Sequence, residues 1–212
     1  EKEVLIRVKV AGICGTDIEM YEGRSKEGTF PFIPGHEWSG EVVEVGEKVK
    51  TIKKGDLVVA EPFIPCGVCY ACRDGQNVAF CSNPLYYGFA WKTPGGMAEY
   101  TTAQEIRTHK VPSNVTYEEA ALVEPLSVAY HGIWGVGGGV APHDRVVIFG
   151  GGPIGLLALA IVKVAGAQAI LVEPIEKRIE LAEKMGADFV INPKKENVVE
   201  SIRSHTEGLG AS

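Results

Sequence analysis

The sequence predicts a mixed α/β chain in two parts: a β-rich domain over residues 1–125, then an α/β domain with a parallel sheet over 126–212. Three observations carry this. Up to about residue 112, short β-branched runs recur between Gly and Pro punctuation, the spacing of a barrel or sandwich. After Pro142, strand-like and helix-like segments alternate, which implies parallel pairing through right-handed crossovers. Between the first of those strands and its helix stands a G-x-G-x-x-G pattern, Gly150, Gly152 and Gly155.

In chain order, Val4–Val10, Gly40–Val45, Asp56–Ala60 and Ala98–Thr102 read as strands, with tight turns at Gly46 and Gly55-Asp56. Ser113 or Thr116 caps a helix with Glu118 and Glu119 in its first turn, where carboxylates favour the dipole. An apolar run continues from Ala120 to about Trp134 and ends at Gly137-Gly138-Gly139, a connection with no strand leading in and no helix following. Then come strand Arg145–Phe149, helix Gly155–Ala165, strand Ala169–Val172, helix Ile175–Met185, strand Phe189–Ile191 and a helix over about Val198–Thr206. The chain opens inside a strand pattern and stops with its second sheet unfinished, so both ends read as cut.

Composition narrows the function classes. Hydrophobic residues make up 45% and charged residues 23%, the ordinary globular range. A net charge of -6 without a dense basic cluster argues against nucleic acid. No stretch approaches the roughly 18 apolar residues of a membrane span, and no secretory leader is present, so the expected location is cytoplasmic.

Two groups of residues have metal-ligand chemistry. Cys14 in Cys14-Gly15-Thr16-Asp17 and the pair in Gly35-His36-Glu37 offer sulfur, imidazole and carboxylate, the three ligand types of zinc. A catalytic zinc takes three protein ligands and leaves one position open. Taken alone, a His beside a Glu is more often a satisfied surface or core pair. Cys66, Cys69, Cys72 and Cys81 supply four sulfurs within sixteen residues, a closed tetrahedral shell that suits a structural zinc; disulfides are the competing reading. The glycine loop follows an apolar strand and opens an apolar helix, the context of a dinucleotide phosphate site. Pro153 and Ile154 belong to that loop. Glu173, at the end of the next strand, stands where an acid accepts from a ribose 2′-hydroxyl, which favours NAD over NADP; Arg178 nearby argues the other way.

These motifs occur in one order with Gly40, Gly46 and Val49 after His36, and with Gly95-Gly96-x-Ala98-Glu99-Tyr100. The whole resembles the zinc-dependent medium-chain dehydrogenase/reductase family, nearest its polyol, threonine and inosose dehydrogenase branch. The resemblance implies a GroES-like catalytic domain followed by a Rossmann domain whose second half, with the returning end of the catalytic domain, lies beyond this sequence. It implies a catalytic zinc at Cys14, His36 and Glu37, with Glu37 ligating directly or through water. It places Glu124, in a Glu-Pro pair, where alcohol dehydrogenases have a third ligand; a carboxylate at a helix N-terminus is the plainer account of that residue. Asp17 takes the position that orients the ligand histidine, and Thr16 the position whose hydroxyl bonds the substrate oxygen and starts the proton relay. Glu19 departs from the family's relay histidine, and the Cys72 to Cys81 spacing is one residue longer than the family pattern, which implies a local loop adjustment. The implied activity is zinc-dependent transfer of hydride from a secondary alcohol to NAD, by a homo-oligomer, dimer or tetramer, acting on a small-molecule alcohol. A zinc-free quinone or enoyl reductase, or a zinc-bearing NAD-binding scaffold, are the alternatives.

Overall fold

The computed structural model describes residues 1–25, 30–75, 80–90 and 92–211. The chain divides into two units, Glu1–Glu124 and Pro125–Ser212. In the first, β1 (Glu3–Ala11), β2 (Trp38–Val45), β3 (Leu57–Ala60), β6 (Tyr100–Gln104) and β7 (Thr108–Lys110) form one antiparallel sheet in the order β6-β1-β2-β3-β7. Two further short strands, β4 (Phe63–Ile64) and β5 (Leu85–Tyr86), pair with each other. Alternation along β1 sends Val4 and Ile6 to the interior, where they meet Val42, Val58, Ala103 and Trp38. Only the 3-10 turn Glu105–Arg107 separates β6 from β7, although these are the two edges of the sheet. Laid flat, four inter-strand spacings measure about 19 Å, whereas the link from Gln104 to Thr108 reaches at most about 14 Å. The sheet must therefore curl until its edges approach, which is the barrel form of a GroES-like domain.

Among the described residues this unit also has helices α1 (Gly15–Tyr21), α2 (Tyr70–Asp74) and α3 (Tyr117–Ala121), with α4 (Val123–Tyr130) beginning at its end. Thr116, not Ser113, caps α3: its Oγ1 accepts the Glu119 N–H at 3.2 Å, and Glu119 Oε2 accepts the Thr116 N–H at 2.8 Å. The single helix expected over Ala120–Trp134 is broken. Pro125 has no N–H for the Ala121 carbonyl, so the chain ends α3 and restarts with Pro125 in the first turn of α4, where an absent N–H costs little. A π-helical turn, His131–Val136, follows, closed by the Gly137 N–H on the Gly132 carbonyl at 3.0 Å. Two positions differ in smaller ways. The strand expected at Ala98–Thr102 lies two residues later, and Gly46 serves close approach as much as turning, since a Cβ there would meet the Glu1 carbonyl oxygen at 2.5 Å.

In the second unit, β8 (Arg145–Phe149), α5 (Pro153–Val164), β9 (Gln168–Val172), α6 (Glu176–Lys184), β10 (Phe189–Ile191) and α7 (Val198–His205) alternate as read from the sequence. The parallel sheet runs β10-β9-β8, the first half of a Rossmann-type domain. Leu159 and Val162 of α5 are fully buried with Ala169 and Leu171 of β9 in one core, and Ile170 and Ile191 form the core of the opposite face. Strand β9 is buried on both faces, which is why it reads as an unbroken apolar run.

Candidate metal centres and dinucleotide loop

Strands β1 and β2 are antiparallel neighbours, with Ala11 paired to Trp38. Cys14 lies just past the end of β1 and His36-Glu37 just before the start of β2, so residues distant in sequence leave and enter the sheet at one place. The Gly12 N–H donates to the Glu37 carbonyl at 2.6 Å, and a Cβ on Gly12 would strike Glu37 Oε2 at the same distance. One ligand atom each from Cys14, His36 and Glu37 lies within 4.8 Å of the others.

The surroundings hold these groups. Cys14 is the N-cap of α1, and its N–H donates to Asp17 Oδ2 at 2.9 Å. The other Asp17 oxygen, Oδ1, faces His36 Nδ1 at 3.9 Å. Both atoms are buried and have no hydrogen-bond partner. Buried polar atoms are normally satisfied. A small ring rotation would close this pair, leaving Nε2 as the nitrogen free for a metal, the usual arrangement of a ligating histidine. The three donors and the oriented imidazole therefore fit a zinc ion. The backbone at His36 is wedged between two other segments: Gly96 N–H donates to the Gly35 carbonyl at 2.8 Å and Met97 N–H to the Pro34 carbonyl at 3.0 Å. Gly35 has φ +95°, and a Cβ on Gly88 or Gly95 would come within 2.9 Å of the Gly35 carbonyl oxygen. This is the physical reason for Gly95, while a Cβ on Gly96 would meet the Trp38 ring at 2.4 Å.

Thr16 Oγ1 accepts from Cys14 Sγ at 3.6 Å, beside the cluster. Glu124 is not among the three residues grouped within 4.8 Å, yet its pKa is raised, by burial first and by the Glu37 charge as well, with His36 opposing. Glu19 pairs instead with Arg24 at 3.8 Å, on the surface. An aromatic row, which no sequence motif marks, ends on the cluster. Phe63, Tyr86 and Phe89 follow one another at 5.4 and 5.6 Å, and Phe89 lies 5.5 Å from the His36 ring. The pairing of β4 with β5 builds this row, and no local pattern encodes that pairing.

The second group is Cys66, Cys69, Cys72 and Cys81, all free thiols with their sulfurs within 4.8 Å of one another. Cys69 is the N-cap of α2, Cys69 and Cys72 sulfurs are 3.4 Å apart, and the Cys66 N–H donates to Cys81 Sγ at 3.2 Å. The N–H groups of Ser82 and Cys72 draw the Cys69 thiol down to about 5, while burial and the neighbouring Cys69 sulfur push Cys72 up to about 12. Four sulfurs gathered around one point with backbone N–H support fit a tetrahedral thiolate site that gives up its remaining protons to a cation. The loop adjustment expected between Cys72 and Cys81 falls on residues 76–79, outside the described residues.

At the head of β8 the loop glycines have separate reasons. Gly150 adopts φ +95°, open to glycine and strained for other residues. A Cβ on Gly155 would lie 1.9 Å from the Gly150 carbonyl oxygen, so α5 can pack on the loop only with glycine there. Gly152 is the N-cap of α5 and a Cβ on it meets nothing within 4 Å, leaving open space before the helix N-terminus. Pro153 at the first helical position and Ile154 follow it. That open space, the N–H groups of α5 and its positive dipole end fit a pyrophosphate. Glu173 is buried after β9, with Arg178 Nη1 3.6 Å from its Oε2.

Residues 1–113 match the family model of the alcohol dehydrogenase GroES-like domain, and residues 153–212 that of the zinc-binding dehydrogenase. The chain is 44% identical to L-threonine 3-dehydrogenase of Caldanaerobacter subterraneus over 99% of its own length and 60% of the relative's. It is 42% identical to scyllo-inosose 3-dehydrogenase of Thermotoga maritima over 99% of this chain and 58% of that one. A solved structure from Sinorhizobium meliloti bound to NADP superposes with a TM-score of 0.88 at 35% identity, covering 95% of this chain and 57% of the other. An alcohol dehydrogenase from Escherichia coli complexed with NADH superposes with a TM-score of 0.84 at 32% identity, covering 97% and 59%. The chain thus spans about 60% of the length of the curated relatives it matches. Among the described residues no helix is long and apolar enough to cross a membrane.

Proposed function

Because the chain belongs to the alcohol dehydrogenase family with a GroES-like domain, we propose that the full-length protein oxidises a secondary alcohol with a nicotinamide dinucleotide. The observation that carries this reading is the Cys14, His36 and Glu37 cluster, with Asp17 Oδ1 and His36 Nδ1 buried face to face and unpaired beside it. Zinc there would supply Lewis-acid polarisation of the alcohol, and the dinucleotide the hydride acceptor. Cys14 and His36 hold the metal, with Glu37 as the third donor and Glu124, coupled in charge to both His36 and Glu37, able to replace it. Asp17 fixes the imidazole, and the Thr16 hydroxyl receives the substrate proton and passes it outward. Glu19 is tied to Arg24, so the outer path of that proton does not use it.

Cys66, Cys69, Cys72 and Cys81 hold a second, structural zinc. The domain boundary is drawn at 125/126. Gly150, Gly152, Pro153, Ile154 and Gly155 receive the pyrophosphate, and Glu173 selects NAD, since a 2′-phosphate would meet a carboxylate. Relatives named for threonine, inosose and sorbitol point to a polyol, cyclitol or hydroxy-amino acid as substrate. The working form is a cytoplasmic homo-oligomer. The test is turnover of the full-length protein on a panel of these alcohols with NAD and NADP, alongside metal analysis. Two zincs per chain and faster turnover with NAD are expected. No zinc at the Cys14 site, or no alcohol-dependent NADH formation across the panel, would sink the reading.

A further inference from the structure

Strands β8 and β9 pair as far as Phe149 and Val172, and two further hydrogen bonds, one to backbone and one to a side chain, carry the contact into the glycine loop. Gly150 donates its N–H to the Val172 carbonyl at 2.8 Å, and Gly151 donates its own to the Glu173 side chain, Oε2, at 2.7 Å. The second oxygen, Oε1, accepts the N–H of Ile175 at 2.8 Å, and Ile175 is the N-cap of α6. One carboxylate therefore fastens the centre of the glycine loop to the start of the next helix. It does so from inside, for Glu173 is 1% exposed. Gly151 is fitted to it from the other side: a Cβ there would lie 3.2 Å from Glu173 Cγ and Oε2 and 3.3 Å from Arg178 Cβ. Burial alone would raise the pKa of this acid, yet the Gly151 and Ile175 N–H groups and Arg178 bring it below the ordinary carboxylate value.

We propose that Glu173 is a positioning residue for the phosphate loop, so that dinucleotide affinity depends on it through the Gly151 backbone and not only through a ribose hydroxyl. This rests on the dinucleotide reading above. Three successive glycines have great conformational freedom, and a loop that must be ordered on binding loses affinity by that amount. Glu173 removes the freedom beforehand. Glu173→Gln keeps the shape but turns an –NH2 toward one of the two N–H groups in either orientation, replacing a charge-assisted bond with a donor facing a donor.

The experiment compares full-length wild type with Glu173→Gln, using NAD and its analogue lacking the adenosine 2′-hydroxyl, with binding measured by calorimetry. Hydrogen exchange of the peptide carrying Gly150–Gly152 is followed in the cofactor-free protein. The expected result is a loss of about tenfold in affinity for both ligands, with about tenfold faster exchange in the loop. A loss confined to NAD, with the deoxy analogue bound within about twofold of wild type, overturns the proposal; so does unchanged loop exchange. Gly151→Ala presses on the same carboxylate and is expected to speed exchange likewise, which keeps the test available should Glu173→Gln not fold. If the wild type binds neither NAD nor NADP, the cofactor reading fails, and loop exchange alone then decides for or against the fastening.

Discussion

Asp17 Oδ2 takes the Cys14 N–H while Oδ1 looks at His36 Nδ1, so one small carboxylate touches both of the residues that would grip the metal most firmly. Its charge matters more than its shape. Asp17→Asn retains an oxygen for the Cys14 N–H but offers the imidazole no anion, and should weaken zinc at this site by about 10–100-fold. Competition with a chromophoric chelator measures this, and the metal held by the four cysteines should be unaffected. Equal affinity in the variant would remove Asp17 from the site. The resemblance alone singled this residue out; its contact with the Cys14 N–H is local, three positions along a helical first turn. Phe89 has no such local relation to the motif. Its contact with His36 depends on the pairing of β4 with β5 and on chain crossings at Gly35, Gly88 and Gly95, which are tertiary events with no sequence period.

At the level of elements, the loop before α5 separates packing from binding. Gly155→Ala drives a methyl into the Gly150 carbonyl oxygen and should destabilise the protein by about 3 kcal/mol in denaturant unfolding. Gly152→Ala meets open space, so its unfolding midpoint should hold while dinucleotide affinity falls, as titration calorimetry would report. Equal effects of the two on stability would contradict this division. A second device lies at the entry to β10. Asp188 accepts the Ala169 N–H and pairs with Lys163, both at 2.7 Å, tying α5 to β9. Burial would raise its pKa, but these partners hold it below the ordinary aspartate value. A depressed folded pKa contributes stability above the unfolded value of about 4 that is lost as pH falls through the folded one. Asp188→Asn should thus cost no more than about 1 kcal/mol at pH 7, after allowance for solvent screening, with the deficit shrinking as pH falls below about 4; a deficit that does not shrink in acid would point to packing instead. The helices and strands of this half were readable because apolar strands and periodic helices alternate, with Gly or Pro at most of the junctions. The break at Leu122 was not, because Pro125 in a first turn looks like tolerance of a helix when here it marks a restart.

Across the whole molecule the two metal groups should be separable. None of the cysteines takes part in the cores built around Val4, Ile6 and Val58 or around Leu159 and Leu171. Cys81→Ser should therefore leave about one zinc per chain in the full-length protein and make the 66–81 segment a protease target, with the β-sheet signal in circular dichroism retained. Loss of both metals together would show the groups to be coupled. The four-cysteine motif could be read from spacing and the Cys14, His36 and Glu37 set only through the family resemblance, while the way the first sheet closes could be read from neither. The curled order β6-β1-β2-β3-β7 gives the opening strand a partner near the end of its unit: Glu3–Arg7 pairs with Tyr100–Gln104. On a ribosome adding about 5–20 residues per second, that partner emerges roughly 5–20 s after β1 does. For all that time a strand carrying Val4 and Ile6 waits with one edge bare, the kind of nascent segment that chaperones hold. The β8–α5–β9 unit has no such delay, since Arg145–Phe149 finds Gln168–Val172 within a few seconds of synthesis. Of these two pairings, Arg145–Phe149 with Gln168–Val172 thus closes during synthesis well before Glu3–Arg7 with Tyr100–Gln104 could if each were timed from its own first strand.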